Sequence, residues 1–288
     1  MDLKEKLLSS FLAFEQKIDV NSDLHDVRTE ALKVFENKGF PTKKEEAWKY
    51  TSLNAVLNND FAVLASNEIP VEWKDVKQYF LNNVDTYKLV FINGVFSSHL
   101  SSTTHDGLDV CLMSSVLTKP KYKMIIDTYF NKIADKKDSL TNLNTAYAAE
   151  GAFINIPKST VVAKPIEILY FTTGTVANFI QPRNLIIIGE NSHVQILERH
   201  QSLTDAPMFT NSVTEIFGQK RAIVDYYKLQ NDKLTANLVD NTFISQKQES
   251  RVSVHTFSFG GNVTRNNLNF YQQGERIDST LKGITIIG

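Results

Sequence analysis

Apolar residues recur through the first third of the chain at the spacing of one helical face. Leu3, Leu7, Leu8, Phe11, Phe14 and Ile18 lie on a single stripe and predict an amphipathic helix. Val27, Ala31, Val34 and Phe35 repeat the pattern in a second helix. That helix is expected to stop near Gly39, because glycine adopts the left-handed C-cap cheaply and Pro41 cannot continue a helix. A third helical stretch is read through Trp73, Val76, Tyr79 and Phe80.

The period then changes. In LVFINGVFSS, Asn93-Gly94 sits between apolar runs, the strongest short signal for a two-residue hairpin turn, so a β element begins near Tyr87. A helical interlude interrupts it over 121–150. Tyr122, Ile125, Ile126, Tyr129 and Ile133 form one stripe, and a second helix runs from Ser139 to about Glu150, where Gly151 offers a cap. From Ala152 to Gly288 the chain is a succession of short β-rich runs: AFINI, IEILYF, NLIIIG, HVQILE, SVTEIF, AIVDYYKL, LVDNTFI, RVSVHTFSF, VTRNNLNF and STLKGITII. The division is therefore a helical region over 1–86 and a β domain over 87–288, and the fold class is α+β. Many short strands suit a sandwich, a barrel or a solenoid, and periodicity does not choose among them. Several turns lack the tight hairpin signal, which favours a solenoid, and no strict repeat is visible, so its coils are expected to be irregular.

Composition narrows the function classes. Lys and Arg number 31 against 32 Asp and Glu, a net charge of -1, which gives no global field to draw the chain onto nucleic acid or an anionic membrane. The single Cys111 excludes an internal disulfide and any multi-thiolate metal site made by this chain alone, which suits a reducing compartment. The start, MDLKEKLLSSFLAFEQKID, has no uninterrupted apolar core of a secretory signal, and no run approaches the ~20 apolar residues of a membrane span. A cytoplasmic protein is the expectation.

Candidate chemistry is sparse. Neither GxxxxGK[ST] nor GxGxxG occurs, so no phosphate-cradling loop is read, and Gly260-Gly261-Asn262 between two strand-like runs reads as a turn. His193, Glu198 and His200 are the nearest metal-ligand cluster. On one strand His193 faces away from Glu198 and His200, and the latter two read as a surface contact. His255 shares the parity of Phe257 and Phe259 and reads as a hydrogen-bonded histidine at the core edge. His25, His99 and His105 have no visible partner. Cys111 in DVCLM reads as a small buried hydrophobe. Lys119, Lys121, Lys123, Lys132, Lys136 and Lys137 read as a solvated helix face, and Trp48 and Tyr50 as residues packing the helical region onto its neighbours. No catalytic, cofactor-binding or metal residue is assigned.

Four segments carry a resemblance. They are Gly39-Phe40-Pro41 leading into Glu45-Glu46-Ala47-Trp48-Lys49-Tyr50-Thr51, then LVFINGVFSSHLS (89–101), LNTAYAAEGAFINIPKSTVVAKPIEILYF (143–171) and PRNLIIIGENSHVQILERH (182–200). In this order they resemble the SufB/SufD family of iron–sulfur cluster assembly scaffolds, and the first points to its SufD branch. The resemblance implies a right-handed parallel β-helix after the helical region. Family chains are longer, so it also implies a solenoid incomplete at its C-terminal end. As function it implies a non-catalytic scaffold subunit of the SUF machinery, working with a SufB-like subunit and a SufC-like ATPase, or as a homodimer. An iron–sulfur cluster would be held transiently by the full complex and no cofactor by this chain alone. Two other readings stand beside it. One is a structural or self-associating solenoid; the other is a polysaccharide-acting β-helix enzyme, against which Asp225, Asp232 and Asp240 are scattered in sequence.

Overall fold

The stripe of the first helix is buried as its spacing requires. In α1 (Leu3–Lys17) the residues Leu3, Leu7, Phe11 and Phe14 face the core. A capping box starts the helix, in which the Glu5 N–H donates to Asp2 Oδ1 at 2.8 Å and the Asp2 N–H to Glu5 Oε2 at 3.2 Å. The structure is a computed structural model that describes residues 2–18, 24–63, 70–102 and 108–286. Helix α2 (His25–Lys38) stops where the sequence requires: Gly39 has φ +70° and its N–H donates to Phe35 O at 2.7 Å.

The third helical stretch is shorter than its stripe suggests. After the single turn α3 (Asn54–Leu57), α4 (Trp73–Val76) passes into a 3-10 turn over Lys77–Tyr79, and Phe80 is already extended. Tertiary packing overrides the helical period here, because Phe80 lies against Trp73 (centroids 4.6 Å) and Phe171 (6.2 Å). The hairpin is formed as expected. Strands β1 (Tyr87–Ile92) and β2 (Val95–Phe96) pair antiparallel across Asn93 and Gly94, with φ of 49° and 80°.

Helical structure resumes earlier than the sequence pattern indicated. Strand β3 (Asp109–Leu112) is followed at once by α5 (Met113–Thr118), then by α6 (Lys123–Tyr129) and α7 (Ser139–Ala146). Asp138 caps α7 by accepting the Thr141 N–H at 2.6 Å. The last helix ends at Ala146, and Gly151 does not cap it. Gly151 has φ +147°, and a Cβ there would lie 2.1 Å from Arg183 O, so the glycine serves a close strand crossing.

The remaining strands are β4 (Ala152–Ile156), β5 (Ile166–Thr172), β6 (Asn178–Ile180), β7 (Arg183–Ile188), β8 (His193–Ser202), β9 (Met208–Gly218), β10 (Ile223–Asp232), β11 (Ala236–Lys247), β12 (Arg251–Gly260), β13 (Val263–Gln273) and β14 (Asp278–Ile286). They form two sheets, ordered β14-β12-β10-β8-β5-β1-β2 and β13-β11-β9-β7-β4-β3, and from β7 onward they alternate between them, while the short β6 pairs with β9 in the second. Pairing between successive coils is parallel throughout, which makes a β-solenoid of about five coils behind an N-terminal helical region. Equivalent side chains therefore stack: Ile166, Ile196, Tyr226 and Val254 lie in one column, and Ile154, Ile186, Ile216 and Ile244 in another. These columns form the apolar interior.

Helices α1, α2 and α7 cover the outside of the second sheet, while α4 and the turn after it pack on the first, against Leu169 and Phe171. Leu7, Phe11 and Tyr147 share one core with Phe209 and Val239 of the solenoid. A second fastening is polar: Arg183 of β7 and Glu215 of β9, both fully buried, pair at 2.5 Å within the sheet, and from that pair Arg183 donates to Thr145 Oγ1 of α7 while Glu215 accepts the N–H groups of Asn131 to Ala134.

Candidate functional site

Side chains alternate in and out along a strand, so β8 points Val194, Ile196, Glu198, His200 and Ser202 into the solenoid. The interior is thus apolar along one side and polar along the other. Parallel register stacks Lys228 of β10 on Glu198, and Tyr170 of β5 with Gln230 of β10 on either side of His200. From the opposite sheet Asn184, Thr214, Asp240 and Thr242 meet them, all buried.

The contacts form a connected polar layer. His200 Nε2 donates to Glu198 Oε1 at 2.9 Å. Glu198 Oε2 accepts from the Tyr226 hydroxyl at 2.5 Å and from Asn184 Nδ2 at 3.2 Å. Asn184 Oδ1 in turn accepts from the Tyr170 hydroxyl at 2.5 Å, and the Tyr170 ring stacks on His200 with centroids 5.0 Å apart. The Lys228 ammonium touches the Asp240 carboxylate and donates to Thr242 Oγ1 at 2.6 Å.

Burial and charge pull these groups in opposite directions. Desolvation works against an ionised Glu198, yet Lys228 and the hydrogen bond from His200 outweigh it and hold its carboxyl well below the usual carboxylate range. Desolvation would likewise depress His200, and its bond to Glu198 raises it instead. Asp240 is raised, because burial outweighs the attraction of Lys228. Glu198, His200 and Asp240 each present one donor atom within 4.8 Å of the others, a nitrogen and two carboxylate oxygens that could hold a divalent cation.

The expected surface contact between Glu198 and His200 is thus corrected. Their shared face is as read, but that face is the inside of the solenoid, and both are more than nine-tenths buried. His193 does face away, outward, where it meets Asp225 at 3.1 Å. His255 shares the face of Phe257 and Phe259, but that face is outward too, and the imidazole stacks on Tyr227 at 5.0 Å. Asp225 lies outside, Asp240 inside, and Asp232 at a strand end beside Gln230, so the three aspartates do not gather. His25 pairs with Glu15 at 3.0 Å, and His99 bridges Ser97 and Val71 O. His105 lies outside the described residues. Trp48 is buried beneath Arg265, while Tyr50 is 89% exposed, with the Lys49 ammonium 5.5 Å from its ring centroid, and does not pack the helical region onto its neighbours. The six lysines from Lys119 to Lys137 are exposed. Cys111 is half-buried on β3, and burial pushes its thiol up, away from the reactive thiolate.

Asp240 and Lys228 completed a cluster that sequence reasoning missed. Asp240 belongs to the other sheet, and nothing local in LVDNTFI announces which coil position it faces. The available signal was a run of polar residues at inward parity, Glu198, Lys228 and Asp240, where a wholly buried strand is expected to be apolar.

Comparison with known proteins covers both halves of the chain. Residues 1–168 match the family model described as the SufBD protein N-terminal region. Residues 170–288 match that of the SUF system FeS cluster assembly, SufBD core domain. An iron–sulfur cluster assembly SufBD family protein of Synechocystis is 27% identical over 86% of this chain and 56% of its own length. The iron–sulfur cluster assembly protein SufD of Escherichia coli is 26% identical over 85% of this chain and 54% of its own. The chloroplastic protein ABCI7 of Arabidopsis thaliana is 24% identical, over 87% and 53%. The chain spans about half the length of these curated relatives.

Proposed function

This chain belongs to the SufBD family, and on that premise we propose that it serves iron–sulfur cluster assembly as a non-catalytic scaffold subunit of SufD type. The observation that carries the reading is the match of both the helical region and the solenoid, in order, to the two family domains. The architecture suits the role. Stacked coils give a stiff body whose strands are held by neighbours on both sides, and such a body presents a long, pre-formed surface to other chains. The partners are a SufB-like subunit and a SufC-like ATPase, the latter supplying the nucleotide site that none of these 288 residues encodes as a recognised phosphate loop. A cluster is cargo of the complex and is built from iron and sulfide.

The test is purification of the chain tagged at its native locus, with mass-spectrometric identification of co-purifying chains and assay of iron and acid-labile sulfide. Recovery of both partners is the expected outcome. Recovery of the chain alone or only as a second copy of itself, free of iron and sulfide, overturns the reading.

A further inference from the structure

Inside the solenoid, Asp240 is 1% exposed, and its Oδ1 accepts no hydrogen bond. Its register neighbour Ser212 and the Gln230 that stacks on His200 carry unmatched polar atoms as well, Ser212 Oγ and Gln230 Oε1. Buried polar groups are ordinarily matched, so unmatched atoms on Asp240 and its register neighbour, with a third on the residue stacked on His200, mark a place suited to something beyond protein atoms. Next to them stand His200 Nε2 and Glu198 Oε1, 2.9 Å apart, with an Asp240 oxygen inside the same 4.8 Å sphere.

We propose that Glu198, His200 and Asp240 form an internal binding site for a single first-row divalent cation of the Fe²⁺, Co²⁺ or Zn²⁺ class. Bonds of about 2.0–2.2 Å to nitrogen and oxygen place such ligand atoms up to about 4.2 Å apart, so the three donors need only a small closure to share one ion. An imidazole among the donors favours this class over Ca²⁺ or Mg²⁺, which take oxygen alone. The outer contacts already orient the ligands. Tyr226 and Asn184 hold Glu198 Oε2, so Oε1, which meets His200 Nε2 at 2.9 Å, is the oxygen that turns to the ion once that proton leaves, and Tyr170 stacks the His200 ring in place. Lys228 is the internal competitor, because its ammonium supplies the positive charge that Asp240 otherwise lacks. Binding therefore moves the Asp240 carboxylate from Lys228 to the ion and releases the proton of His200 Nε2. No electron is transferred, and water completes the coordination.

The inference stands apart from the assembly role, since it concerns this chain alone. The test is equilibrium dialysis of the purified chain against Co²⁺, followed by visible absorption of the bound ion and by its displacement with Zn²⁺. Expected are one Co²⁺ per chain, a proton released on binding, and at least about tenfold weaker binding in His200→Ala and Asp240→Asn. Lys228→Met is expected to bind at least about tenfold more tightly, because the competing cation is gone. A purely structural lysine would move stability and leave cobalt affinity unchanged. Absence of stoichiometric binding by the folded wild-type chain overturns the proposal, as does an affinity indifferent to both His200→Ala and Lys228→Met. Failure here leaves the co-purification result untouched, and the reverse holds.

Discussion

Glu215 takes the N–H groups of Asn131, Lys132, Ile133 and Ala134 at 2.8–3.2 Å, together with the Arg183 guanidinium. One carboxylate thus ties the loop between α6 and α7 to the outside of β9. Removing it strands four amides and a buried cation, so Glu215→Leu is expected to cost about 3–5 kcal/mol in urea unfolding, with Glu215→Gln costing less because it keeps an acceptor. Glu150 works in the other direction. Burial pushes its carboxyl up from the ordinary range, and Oε2 has no partner. An acid raised in the folded state binds its proton more tightly there than in the unfolded chain. Its contribution is therefore favourable at low pH and is lost as pH rises from the unfolded value through the folded one. Glu150→Gln should flatten the fall of denaturant midpoint between mildly acidic and neutral pH; an unchanged slope would remove Glu150 as its source.

At the level of elements, the corner between the two sheets repeats a backbone device. Ser159, Asn191, Arg221, Glu249 and Arg276 all have φ between 56° and 60°, and the N–H of each of the first four bonds to the next coil, as Ser159 to Glu190 O at 2.7 Å and Arg221 to Gln248 O at 3.0 Å. Glu190, Arg221, Glu249 and Arg276 form a charge ladder along this corner. Exposed pairs of this kind contribute little each, and the left-handed residues carry a steric cost. Ser159→Gly, exposed and outside the ladder, is expected to raise stability by about 0.5–1 kcal/mol in thermal or urea unfolding. The elements themselves were largely legible. Each β-rich run from AFINI onward became a strand, and Gly39 and Asn93-Gly94 did what their chemistry requires. The helix through Trp73 and Phe80 failed because aromatic packing on Phe171 decided Phe80. The short β6 escaped notice because Asn178–Ile180 is held mainly by its neighbour β9, with too little sequence to show a period.

For the molecule as a whole, the helical region and the solenoid share a core through Leu7, Phe11, Tyr147, Phe209 and Val239. They should therefore unfold together. Trp48 lies in that shared core and Trp73 outside it, so in Trp73→Phe the remaining tryptophan reports the junction. Its fluorescence and the far-ultraviolet signal of the strands should fall in one coincident urea transition, and separated transitions would show two independent units. Among the described residues no helix is long and apolar enough to cross a membrane.

Local chemistry in the sequence determined where chain segments are helical or extended, where glycine and the Asn-Gly pair turn them, and the alternation that puts Glu198 and His200 on one face. It also carried the ordered segments by which the family is recognised. The tertiary structure alone decided which face is inside. In a two-sheeted solenoid each strand has one face on the core and another that helices can cover, so parity gives grouping without direction. Stacking across coils then brought Lys228 onto Glu198, and closure between sheets brought Asp240 to both, contacts set by register over long separations that no local pattern records.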